Sequence, residues 1–140
     1  MNPVNRRLGD RRAGERGFTL IELLVVASIL VVLAGISLVQ YKNAVTRSRE
    51  GVLKTDLFNL RDAIDQYYAD KMQYPPTLDD LVSDGYVRRV PDDPFTMSSS
   101  TWQTIQSEPD PTNPTVAPGV YDVKSGSDAT ALDGSKYSDW

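Results

Sequence analysis

One stretch restricts this chain more than any other. Residues 18–39, FTLIELLVVASILVVLAGISLV, form a 22-residue apolar run whose single charge is Glu22. At about 1.5 Å of rise per residue, a helix of that length extends about 33 Å, close to the thickness of a bilayer's hydrocarbon core. The run is too long for the apolar core of a secretory signal, and no A-x-A-type site follows it. Arg6, Arg7, Arg11, Arg12 and Arg16 precede it, against only Asp10 and Glu15. Arginines so placed stay in the cytoplasm, which puts the C-terminal body on the other side. Two readings are open at this level: an anchor that is never cleaved, and a leader that is removed.

No proline occurs between Phe18 and Tyr74. After Gln40 the apolar positions thin to Leu53, Leu57, Leu60, Ile64 and Tyr67, spaced by fours and threes along one helical face. Arg47, Arg49, Lys54, Arg61, Asp62 and Asp65 fall largely off that face. The pattern predicts one helix from the apolar run to about Met72, with Gly35 and Gly51 as its weak points and Pro75-Pro76 as its stop. So long an amphipathic stripe needs a partner, either the chain's own body or neighbouring helices.

Beyond the prolines, Thr77-Leu78-Asp79-Asp80 has the pattern of a capped short helix that Gly85 can close. Residues 88–95, RRVPDDPF, read as a loop. A strand is expected from Thr101 to Ser107 around Trp102 and Ile105, and a second from Val120 to Lys124 with Tyr121 and Val123 on one face. Between them Pro109, Pro111, Pro114 and Pro118 exclude a helix or central strand. The residues from Ser125 onward are small, acidic and loop-like. Two short strands are not a stable sheet alone, so they are expected to pack on the helical stripe. The fold class is α+β: a long N-terminal helix packed on a small antiparallel β-sheet, ending in an oxygen-rich loop.

The chain holds no cysteine and no histidine, which excludes disulfides, thiol nucleophiles, Cys/His zinc sites and a Ser-His-Asp triad. Asp92 and Asp93 are adjacent in a proline-flanked loop, and no nucleophile–base set or phosphate-binding loop accompanies them, so an enzyme is not expected. Residues 18–140 carry ten Lys/Arg against seventeen Asp/Glu, a field that does not attract nucleic acid. The C-terminal loop places Ser125, Asp128, Asp133 and Asp139 among glycines. That chemistry suits calcium, which takes six to eight oxygen ligands, but it equally describes an acidic solvated loop. The spacing is not that of an EF-hand.

The junction Gly17-Phe18-Thr19-Leu20-Ile21-Glu22 behind a short basic leader resembles the class III signal of type IV pilins and pseudopilins. The resemblance implies that a prepilin peptidase cuts after Gly17 and methylates the amino group of Phe18. It also implies that Glu22 pairs with the amino terminus of an adjacent subunit during assembly. Two charges that are costly alone in lipid offset each other when paired. Tyr74-Pro75, with Gly85-Tyr86 and Val90-Pro91-Asp92-Asp93-Pro94-Phe95, resembles the major pseudopilin of type II secretion, with Val90 and Phe95 replacing a usual leucine and tryptophan. Many relatives carry a proline near position 39, where this chain has Val39.

In that family a similar tail binds calcium. The resemblance implies Ser125, Asp128 and Asp133 as side-chain ligands, a carbonyl near Val123 assisting, and Asp139 as a further candidate. The domains expected are a cleaved leader at 1–17, a transmembrane and filament-core helix at 18–39, an amphipathic helix at 40–73, and a periplasmic body at 74–140. The implied function is that of a structural subunit of a secretion pseudopilus, single-pass in the inner membrane before it polymerises. Its implied partners are copies of itself, minor pseudopilins, the prepilin peptidase, an inner-membrane assembly platform and membrane lipid. A surface pilin serving adhesion, motility or DNA uptake is the alternative.

Overall fold

The computed structural model describes residues 17–109, 111 and 115–140. The leader arginines and Pro114 lie outside the described residues. The chain divides into two units, Met1–Val39 and Gln40–Trp140. Helix α1, Leu20–Lys71, begins in the first and ends in the second. It runs unbroken through Gly35, Val39 and Gly51. A methyl group at either glycine would meet nothing within 4 Å, so packing does not require glycine there.

In the first unit, Thr19 caps the helix: the Glu22 amide donates to its hydroxyl at 3.2 Å, and the Leu23 amide donates to its carbonyl. Thr19-x-x-Glu22 is thus also an N-terminal capping pattern. Ser28 and Ser37 turn their hydroxyls back onto the carbonyls of Leu24 and Leu33, each at 2.8 Å, which pairs those two hydroxyl hydrogens within an apolar surface. Every residue from Phe18 to Val39 is exposed. This is the one helix among the described residues long and apolar enough to cross a membrane.

In the second unit the stripe read from the sequence is the core. Leu53, Leu57, Leu60, Ala63, Ile64 and Tyr67 are buried together with Leu78, Leu81, Trp102, Val120, Val123, Ala131 and Tyr137. Helix α1 stops at Met72, whose φ of 53° is left-handed, three residues before Pro75. Helix α2, Leu78–Ser83, starts where Thr77 donates its amide and hydroxyl to Asp80, at 2.9 and 2.7 Å. It closes at Gly85, with φ of 82°.

Strands β1, Gln103–Gln106, and β2, Val120–Lys124, pair antiparallel with Thr104 opposite Val123. The register slips between Ile105 and Gln106, which face Asp122 and Val120. This bulge corrects one expectation. Tyr121 and Val123 do not share the inner face; Val120 and Val123 are buried and Tyr121 is about half exposed. An extra residue in the ladder breaks strict alternation, so positions three apart point the same way. Glycines sit where backbones meet: a methyl at Gly119 would lie 2.5 Å from the Tyr74 carbonyl oxygen, and one at Gly126 only 2.0 Å from that of Thr101. The ends of the β1–β2 connection are tied by the Ser107 amide on the Gly119 carbonyl at 2.7 Å and the Gly119 amide on the Ser107 hydroxyl at 3.1 Å.

Candidate functional site

Two regions hold the residues singled out from the sequence. At the N-terminal junction Gly17, Phe18 and Thr19 precede the helix in non-helical backbone, and Phe18 is 80% exposed. A peptide bond ahead of a helix can enter a protease cleft as an extended strand, whereas one inside a helix must first unwind. Glu22 lies in the first turn of α1 with its side chain exposed. The positive end of the helix dipole favours a carboxylate there. Phe18 and Glu22 are therefore both uncovered.

The second region is the tail, which the structure ties to α1 and to the 93–96 turn. Arg61 carries one root. Its Nε meets the Asp122 carboxylate at 2.8 Å, and its Nη2 donates to the Val123 carbonyl at 2.9 Å and to a main-chain oxygen of Trp140 at 2.7 Å. Asp93, fully buried, carries the other. Its carboxylate accepts from Ser125 Oγ at 2.5 Å, from the Gly126 amide at 3.2 Å, and from the amides of Phe95 and Thr96 at 2.8 and 3.4 Å. Four donors offset the cost of taking that carboxylate out of water. Asp92, its neighbour in sequence, is exposed, so the two carboxylates do not form a working pair.

Glu50 and Lys54, one helical turn apart, hold the end of the tail. Glu50 accepts from the Tyr137 hydroxyl and the Leu132 amide, each at 2.9 Å, and Lys54 Nζ stands 4.4 Å from the centre of the Trp140 ring. Tyr137 stacks on Phe95 with ring centres 3.8 Å apart and meets Trp140 edge-on at 5.1 Å. Burial, then the Glu50 carboxylate, pushes the Tyr137 hydroxyl up to about 12.

The five candidate ligands have different surroundings. Val123 presents its carbonyl to a guanidinium, and Ser125 gives its proton to Asp93 while accepting from the Ser127 amide at 3.1 Å. Asp133 orders its own turn, accepting from the Ser135 amide at 2.9 Å and the Ser135 hydroxyl at 2.6 Å. The Ser135 hydroxyl, then its amide, holds that carboxyl below its ordinary 3.8. Asp128 and Asp139 are exposed. Among the described residues no group of three or more His, Cys, Asp or Glu is arranged to hold a metal ion.

Arg61, Glu50, Asp93, Tyr137 and Trp140 were not singled out from the sequence as the tail's anchors. Their partners are 32 to 87 residues away, and only the late aromatics in a polar tail hinted at them.

Against known proteins, residues 12–38 match the prokaryotic N-terminal methylation motif. The type II secretion system core protein G of Klebsiella michiganensis is 32% identical over 101 residues, which cover 61% of this chain and 71% of that protein. The chain belongs to this family. The core protein G of Pseudomonas aeruginosa is 33% identical over the same proportions of the two chains. The fimbrial protein EcpC of Eikenella corrodens is 40% identical, but over 65 residues, or 44% of this chain and 40% of that protein. No solved structure matches the chain. Core protein G is the major pseudopilin, so the expectation drawn from the junction and from Tyr74-Pro75 through Phe95 is met at the level of family.

Proposed function

We propose that this chain is the repeating structural subunit of a type II secretion pseudopilus, inserted in the inner membrane and then polymerised to drive export of folded proteins. The observation that carries the reading is the likeness to core protein G across 71% of its length, with an uncovered Gly17-Phe18 junction ahead of an exposed membrane-length helix. On this reading the prepilin peptidase removes residues 1–17 and methylates Phe18, and Glu22 of one subunit pairs with the Phe18 amine of the next. The body faces the periplasm, and the subunit meets minor pseudopilins and an inner-membrane assembly platform. Nothing in this role needs a reaction centre.

The mature mass tests processing: loss of residues 1–17 plus one methyl group is expected, and an intact Met1 would leave an uncleaved anchor. A deletion strain tests the role. It should lose secreted proteins while keeping its surface fibres. Loss of fibres with secretion intact would favour a surface pilin, the reading to which the shorter match with EcpC belongs.

The tail is also proposed to take calcium. Its oxygen-only donors suit a hard cation, and Asp128 and Asp133 are the carboxylates to hold it, with Asp139 beside them in sequence. On this reading the Val123 carbonyl and the Ser125 hydroxyl assist while keeping their places at the tail's root. Calcium would supply positive charge to acidic loops, and at about a hundredfold excess over Kd it adds about 2.7 kcal/mol of stability. Melting the body in calcium and in chelator is the check. Equal melting temperatures would remove the cation from the proposal, and Asp128→Asn should abolish any difference.

A further inference from the structure

The residues that directly follow the apolar run carry a charge pattern that the packing of the body's described residues does not use. Lys42, Arg47 and Arg49 are exposed, three, eight and ten residues past Val39. The ion pairs among the described residues are Arg61–Asp122 and Lys71–Asp84, so these three cations have no acidic partner there. Glu50 is the one acid between residues 40 and 55, and it is occupied by Tyr137 and Leu132. Tyr41, 68% exposed, stands at the head of the group.

We propose that Tyr41, Lys42, Arg47 and Arg49 form a collar that binds anionic phospholipid headgroups at the body-side surface of the membrane. This rests on the membrane-anchored reading above. Seven residues bring Lys42 and Arg49 to nearly the same side of the helix, and Arg47 lies about 140° round from Lys42. A protein partner docks on one face, whereas a headgroup layer surrounds a helix that crosses it. Lys42 falls about 4.5 Å beyond Val39 and Arg49 about 15 Å. The headgroup region is about 5–8 Å deep on each side. Helical side chains lean toward the N-terminus, so the long arginines reach back toward that layer. Tyrosine at the end of an apolar span is a headgroup-level anchor. Each basic residue near an anionic surface adds about 1 kcal/mol of attraction, about fivefold in affinity.

Removing residues 1–17 takes away all five leader arginines. The collar is then the nearest basic cluster to the span, and the charge bias across the membrane is reversed. A cleaved subunit is thus held from its body side.

The chain has no cysteine, so Ser48→Cys in the full chain gives one site for an environment-sensitive fluorophore. The labelled chain is reconstituted into phosphatidylcholine vesicles with and without phosphatidylglycerol. A blue shift that requires phosphatidylglycerol, is reversed by salt, and weakens about fivefold in apparent lipid affinity for each of Lys42→Gln, Arg47→Gln and Arg49→Gln supports the collar. A probe blind to phosphatidylglycerol in a fully inserted chain overturns the collar alone. So does a response that the triple variant retains, or one that follows the protein-to-lipid ratio rather than lipid charge, which would assign the cations to a second copy. Release of the chain by alkaline carbonate overturns the collar and the membrane anchoring together.

Discussion

The two stretches of α1 follow opposite rules. Residues 20–39 are apolar on every side, and none is buried by the chain itself. Residues 53–67 are apolar on one stripe, and that stripe is the core of the body. The difference teaches where each gets its stability. The second stretch is fixed by its own fold, whereas the first has no apolar partner within the described residues and relies on lipid or other helices. One helix thus joins a segment defined by its surroundings to one that brings its own.

Substitutions can break that contrast directly. Ile64→Ala should cost the body about 2–5 kcal/mol, because it opens a cavity at a fully buried site. Val32→Ala, with a side chain 62% exposed, should leave the body's melting transition unmoved. Calorimetry of both variants in one detergent is the comparison, and a large loss in the second would mean that the two stretches share a core.

A smaller effect is expected at Asp93. Its replacement by alanine strands Ser125 Oγ and the main-chain donors around it, at about 2–3 kcal/mol. Proteolysis should then begin in the tail, and cleavage that instead begins in α1 would assign Asp93 a different role. Arg61→Gln follows, at about 1–2 kcal/mol, since its guanidinium is partly exposed and solvent weakens its pair with Asp122. Enhanced hydrogen exchange confined to residues 121–124 and the chain end would bear this out.

The smallest effect has the opposite sign. Burial, then the Asp93 charge, raises the Asp56 carboxyl above 3.8. A carboxyl raised on folding is one whose ionised form the fold disfavours. Stability therefore falls as pH climbs from below 3.8 through the raised value, and is level beyond it. Asp56→Asn should raise the melting temperature slightly at pH 7, with the gain vanishing below 3.8. A gain that persists in acid would point to packing rather than charge.

Periodicity made much of this legible. The stripe from Leu53 to Tyr67, the cap at Thr77 and the strand Val120–Lys124 are local patterns, and each is where the sequence places it. The inner face of β2 was misread because one bulge changes which residues align, and a bulge is a property of two strands together. The tail was legible as oxygen-rich and acidic, but not as anchored. Asp93 and Arg61 look like ordinary surface charges until Ser125, Val123 and Trp140 arrive from elsewhere in the chain. The N-terminal junction was the easiest to read at the level of family, since Arg16, Gly17-Phe18 and Glu22 all lie within a few residues of one another.

The clasp between Ser107 and Gly119 has a practical consequence. Because these two residues fasten the ends of the β1–β2 connection to each other, the strands do not depend on the number of residues in between. Doubling a loop's length costs only about 0.6 kcal/mol in closure entropy. An epitope or fluorescent-arsenical tag inserted at Pro111 should therefore leave the body folded and report the subunit's position in living cells.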